Sequence, residues 1–144
     1  MIYQKLNPID TPQLLVLMQQ YKRVIGESEL SEEQSEKLIS AITRKEIEFF
    51  VAKRDYELIA MCSICTVFST YLCEKNGILE DFFITEEHRH KGIARGLISF
   101  VFEEMRANEV ITVWVGCADV DIEMYKSLGF DIPLGKLLTW SSRE

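Results

Sequence analysis

Apolar residues recur along this chain with two different periods, and the change of period divides it into elements. Residues 1–6 read as a short strand, which Asn7-Pro8 breaks. Thr11 followed by Pro12 reads as a helix cap with a proline in the first turn. Leu14, Leu15, Leu17, Met18 and Tyr21 then keep helical spacing until Gly26. Ser31-Glu32-Glu33-Gln34 has the form of a capping box and predicts a second helix, with Leu38, Ile39 and Ile42 on its buried side.

From residue 48 the period shortens to that of strands. Phe49-Phe50-Val51-Ala52 forms one, residues 58–67 a second and residues 78–84 a third, with turns expected at Asp55-Tyr56-Glu57 and at Asn76-Gly77. Helical spacing returns at 90–107, where Ile93, Ala94, Leu97, Ile98, Val101, Phe102 and Met105 mark one face. Val110–Val115 is again strand-like. Residues 121–128 suit a short helix closed by Gly129, and 137–140 a last strand. The order β-α-α-β-β-β-α-β-α-β predicts a mixed α/β fold. With 144 residues and neither repeat nor linker, one domain spanning 1–144 is expected.

Composition narrows the function classes. A formal net charge of −7 argues against nucleic acid or an anionic membrane as partner. No run of about 18 apolar residues offers a membrane span, and the opening MIYQKLNPI lacks the form of a secretion signal. A cytoplasmic setting with reduced thiols is expected. Cys62 and Cys65 form a C-x-x-C without a second pair. Residues three apart on a strand point to opposite faces, so buried structural thiols are expected and no metal.

The chemistry concentrates at residues 78–96. An apolar strand runs into a basic, glycine-bearing turn that opens the long helix. Amide N–H groups at a helix start lack partners and carry partial positive charge. Gly92 admits close approach to the backbone, small Ala94 does the same, and Arg89, His90, Lys91 and Arg95 put positive charge around the rim. Such a cradle suits a diphosphate. Neither the Walker A spacing nor G-x-G-x-x-G is present.

Arg89-x-x-Gly92-x-Ala94 matches the R/Q-x-x-G-x-G/A signature of the GNAT acetyltransferases. The strand before it and Met124-Tyr125-Lys126-Ser127-Leu128-Gly129-Phe130 after it also resemble that family, from about residue 78 to 130. Phe68-Ser69-Thr70-Tyr71 with Leu79-Glu80-Asp81 is similar to the diamine and polyamine acetyltransferase branch over a short stretch. The resemblance implies the single-domain GNAT fold, a mixed sheet with helices on both faces.

It also implies a site. The main-chain amides of Arg89, His90, Lys91, Gly92, Ile93 and Ala94, with Arg95 beside them, would hold the diphosphate of acetyl-CoA. A bulge would splay the preceding strand, and main-chain groups of Phe82, Phe83 and Ile84 would face the pantetheine arm and the thioester carbonyl. Tyr125 would protonate the departing thiolate. Where many members carry an asparagine this chain has Ala118, with Asp119 next to it as the remaining polar candidate for that contact.

The acceptor amine must attack as the neutral form. Removing its proton at pH 7 costs roughly 4–5 kcal/mol for a lysine-like amine. Glu80 and Asp81 are the candidate bases; strand geometry leaves both open, and family position favours Glu80. The acidic stretch Glu27, Glu29, Glu32, Glu33 and Glu36 suits a cationic small-molecule amine, polyamine-like ones first, and equally a solvated helix start. The resemblance also points to a homodimer. The alternatives are a catalytically silent CoA-binding regulatory module, and an enzyme for protein N-termini or lysines.

Overall fold

Alternation along two neighbouring strands decides which residues meet which helix. In the computed structural model, which describes residues 1–143, the elements run β1 (Ile2–Lys5), α1 (Thr11–Val24), α2 (Glu32–Thr43), β2 (Glu48–Arg54), β3 (Glu57–Ser69), β4 (Glu74–Ile84), α3 (Ile93–Ala107), β5 (Val110–Val115) and α4 (Ile122–Leu128). The five strands form one sheet in the order β1-β2-β3-β4-β5, antiparallel except for the parallel pair β4–β5.

Phe50 and Ala52 of β2 point to one face, where they join Leu97, Ile98 and Val101 of α3. Phe49 and Val51 point to the other, where they join Leu14, Leu17 and Met18 of α1. Period-2 side chains therefore give the sheet two apolar faces, and each takes a helical cover. The result is the expected mixed sheet with helices on both faces. Cys62 is fully buried on the α3 side and Cys65 is half-buried one strand-turn on; all four cysteines are free thiols.

Local signals account for most boundaries. The Ser31 hydroxyl accepts from the Gln34 N–H at 3.1 Å while the Gln34 side chain accepts from the Ser31 N–H at 2.9 Å, so the capping box forms as expected. Gly129 closes α4 at φ 115°. The long helix begins at Ile93 rather than His90, because His90 (φ 60°) and Gly92 (φ 80°) are left-handed. Thr11 does not cap α1. Asp10 holds the cap position, and its carboxylate is bound instead to Lys53 Nζ at 2.8 and 3.0 Å.

Two expectations are corrected. Asn76-Gly77 is no turn: both residues lie inside β4, and the reversal occurs at residues 70–73, with Cys73 at φ 54°. Gly77 serves packing. A Cβ there would stand 3.2 Å from Val113 and 3.5 Å from the Met105 sulfur, so the missing side chain lets α3 and β5 close on the strand. Residues 137–140 form no strand, since no neighbouring strand pairs with them.

Candidate active site

The sheet opens where β4 and β5 part. Their ladder ends at Leu79 opposite Val115, yet β4 continues to Ile84, paired only with β3. The cause lies one strand away. Between the pairs Ile64–Leu79 and Cys62–Phe82, β3 has one residue, Ser63, and β4 has two, Glu80 and Asp81. This is a bulge, which turns the rest of β4 away from β5. Ser63 is 2% exposed and its hydroxyl accepts the Asp81 N–H at 3.2 Å.

The cradle lies at the far end of that strand. After a single 3-10 turn at Glu86–His88, the chain passes His90 and Gly92 in left-handed conformation and enters α3. Gly96 donates to the Gly92 carbonyl at 3.1 Å, the first bond of the helix. Among the described residues, no protein group accepts from the N–H of His90, Lys91, Gly92, Ile93, Ala94 or Arg95. A Cβ at Gly92 would meet nothing within 4 Å. His90, Lys91 and Arg95 are exposed at the rim, while Ile93 is buried and anchors the turn. Six free donors at a helix start, an open approach and surrounding cations fit a diphosphate.

Arg89 is arranged differently. Its side chain turns inward, with Nε donating to the Ile84 carbonyl at 3.0 Å and the guanidinium 5.6 Å from the centre of the Phe83 ring. It ties the turn to the bulged strand instead of lining the rim.

Aromatic rings build the walls of the opening. Phe82 and Tyr125 stand 6.3 Å apart, and Tyr125 meets Phe130 edge-on at 5.8 Å. On the α1 side, Tyr21 meets Phe83 at 5.9 Å. Burial, then the charges of Tyr21 and Asp121, raise the Tyr125 phenol to about 12. Burial raises Tyr21 to about 12 as well, assisted by Asp81, Glu80 and Asp121. The Asp81 carboxyl is raised by burial, which outweighs the lowering effects of Tyr21 and Lys22. Glu80, next to it, is exposed. Asp119 lies exposed in a 3-10 turn after β5, on the rim of a cavity that Tyr125 also lines.

The opening thus brings together Asp81, Glu80, Phe82, Phe83 and Tyr125, with the cradle of residues 89–95 at its far end. Of the acidic stretch, Glu29 is paired to Arg23 at 3.0 Å and Glu33 to Lys37 at 3.0 Å. Three residues at the opening escape the sequence. Tyr21 reads as one more apolar position of its helix, and Asp121 as the start of a short one. Ser63 did leave a trace, as the one hydroxyl in the otherwise apolar run Ile59-Ala60-Met61-Cys62-Ser63-Ile64.

The Acetyltransferase (GNAT) family matches residues 12–130. The chain belongs to the GNAT family. As a member it is an acetyl-CoA-dependent N-acetyltransferase. No sequence among the curated proteins matches it. Among solved structures, a probable acetyltransferase is 22% identical, with each chain covered over 100% and a TM-score of 0.89. An aminoglycoside acetyltransferase from an uncultured soil metagenomic sample, in complex with sisomicin, is 16% identical over 99% of this GNAT chain and 96% of its own, with a TM-score of 0.86. A ribosomal-protein-alanine N-acetyltransferase from Brucella melitensis biovar Abortus 2308 is 14% identical over 100% of both chains, with a TM-score of 0.77. At these identities the likenesses show the shared GNAT fold.

Proposed function

We propose that this GNAT enzyme acetylates the primary amine of a small cationic molecule by direct attack on the thioester of acetyl-CoA. The observation that carries the reading is the row of six main-chain donors without protein acceptors at the head of α3. That row would grip the diphosphate, with Lys91, His90 and Arg95 neutralising it from the rim. The parted strands would take the pantetheine arm, and main-chain groups of Phe82, Phe83 and Ile84 would face the thioester carbonyl.

Asp81 is the general base in this reading, ahead of Glu80. Its carboxyl is partly withdrawn from water and raised, which moves it toward the pH at which a base works best. It takes the proton of the attacking amine as the new C–N bond forms. The C–S bond breaks, and the departing sulfur takes its proton from Tyr125. At about 12 that phenol keeps its proton throughout the neutral range. Asp119 remains the polar candidate beside Ala118 for the pantetheine arm.

A cationic acceptor follows from the charges at the opening. Asp81, Glu80 and Asp121 act together on Tyr21, so a protonated amine arriving there meets several carboxylates. The similar aminoglycoside acetyltransferase is in complex with sisomicin. The test is thiol release from acetyl-CoA with polyamines, aminoglycosides, amino acids and peptides. Turnover led by the cationic small molecules supports the reading. Tight CoA binding without turnover on any acceptor would leave only a silent binding module.

A further inference from the structure

Tyr21 stands at the opening without a part in the chemistry described so far. Leu14, Leu17 and Met18 of α1 are buried against the sheet. Tyr21 lies four positions after Leu17 and three after Met18, so it continues that face by one turn. It is half-buried there. A tyrosine in such a place packs its ring and sends its hydroxyl to a polar partner.

The bulged strand supplies the partner. Past the bulge, alternation along β4 puts Asp81 and Phe83 on one face and Phe82 on the other. Phe83 belongs to the core under α1, whereas Phe82 packs toward α3. The Tyr21 ring meets the Phe83 ring at 5.9 Å and 60°. Asp81 therefore faces the helix that carries Tyr21, and the Tyr21 hydroxyl reaches its carboxylate as a hydrogen-bond partner. The main chain of Asp81 is held as well, since its N–H donates to the buried Ser63 hydroxyl at 3.2 Å.

Other charged and titratable groups surround this contact. Lys22 of α1 acts on the Asp81 carboxyl and lowers it, as Tyr21 does. Glu80 of β4 and Asp121 ahead of α4 act on Tyr21, and Tyr21 in turn acts on Tyr125 of α4. From β3, Cys62 is fully buried and burial pushes its thiol up, so it stays neutral. Standing at about 12, the Tyr21 phenol keeps its proton throughout the neutral range and serves as a donor. A carboxylate has two oxygens, so one can accept from Tyr21 while the other receives the proton of an amine.

We propose that Tyr21 is a positioning residue, whose hydroxyl donates to the Asp81 carboxylate and holds it toward the incoming amine. The proposal rests on the reading of Asp81 as the general base.

Tyr21→Phe tests it, because the ring and its contact with Phe83 remain and only the hydroxyl goes. The variant should fold as wild type by circular dichroism. The first readout needs no turnover: the Asp81 carboxyl carbon is titrated by NMR in both proteins. A donor to the charged form lowers a carboxyl, so its loss should raise the Asp81 midpoint by about one pH unit. The acid limb of kcat/KM should move to higher pH by the same interval, and kcat should fall about tenfold while KM for acetyl-CoA changes little. In an Asp81→Asn background the same change should lower kcat no further. An unmoved Asp81 midpoint overturns the proposal, and so does a full tenfold loss on top of Asp81→Asn. If Asp81→Asn alone keeps wild-type turnover while Tyr21→Phe still raises the midpoint, the contact stands and the assignment of the base fails.

Discussion

Ser63 on β3 accepts the N–H of Asp81 on β4 at 3.2 Å, at the point where two residues of β4 face one of β3. A buried hydroxyl thereby satisfies a donor that the bulge has taken out of the ladder. Ser63→Ala leaves that donor without a partner, so stability should fall by about 1–2 kcal/mol in denaturant unfolding. The Asp81 amide should also exchange faster than its neighbours in β4. Unchanged exchange there would show that the bulge holds itself.

Asp81→Asn separates function from stability. Loss of the proposed general base should lower kcat/KM by roughly 10²–10⁴-fold. In the wild-type protein kcat/KM should fall as pH drops through the raised Asp81 pKa. The stability effect has the opposite sign. With its pKa raised on folding, the carboxylate costs stability above that pKa, and the cost disappears as pH falls toward the unfolded value. The asparagine variant should therefore be more stable than wild type at neutral pH, and the gain should vanish in acid. A variant that loses stability at pH 7 contradicts this.

Tyr125→Phe should reduce turnover by about 10²-fold or more while acetyl-CoA affinity, read by calorimetry, changes little. Because the phenol stands at about 12, it loses no proton below about pH 10. Any alkaline fall in rate between pH 8 and 10 should thus persist in the phenylalanine variant. Its disappearance would assign that limb to Tyr125.

Gly92→Ala tests the cradle. The left-handed φ of 80° makes any side chain cost about 1 kcal/mol or more of stability. The new methyl would also point into the space left open for the ligand. Acetyl-CoA affinity should drop tenfold or more, beyond what the loss of stability explains. Wild-type affinity in this variant would move the diphosphate elsewhere.

The helical parts of the fold were legible because their signals are local. The capping box at Ser31, the glycine after α4 and the spacing of Leu97, Ile98, Val101 and Met105 each act within a few residues. Asn76-Gly77 misled because a glycine is read as a turn unless its neighbours in space are known. Here those neighbours are Val113, Ile64 and the Met105 sulfur, two of them on other elements more than 25 positions away along the chain. Residues 137–140 have strand composition, but a strand exists only with a partner.

At the candidate site the local features were legible and those made by distant residues were not. The glycine-bearing turn and its free amides follow from sequence. The preference proposed for Asp81 over Glu80 does not, because it rests on the burial of Asp81 and on a bulge whose second strand lies 18 residues earlier.

Arg89 has a wider consequence. By donating to the Ile84 carbonyl and covering the Phe83 ring, it ties the glycine-bearing turn to the end of β4. The same Phe83 ring meets Tyr21 of α1 on its other side, so the turn, the strand and the first helix are joined through one aromatic side chain. A substitution at Tyr21 would therefore be felt at Arg89, two elements away, through the one ring that both touch.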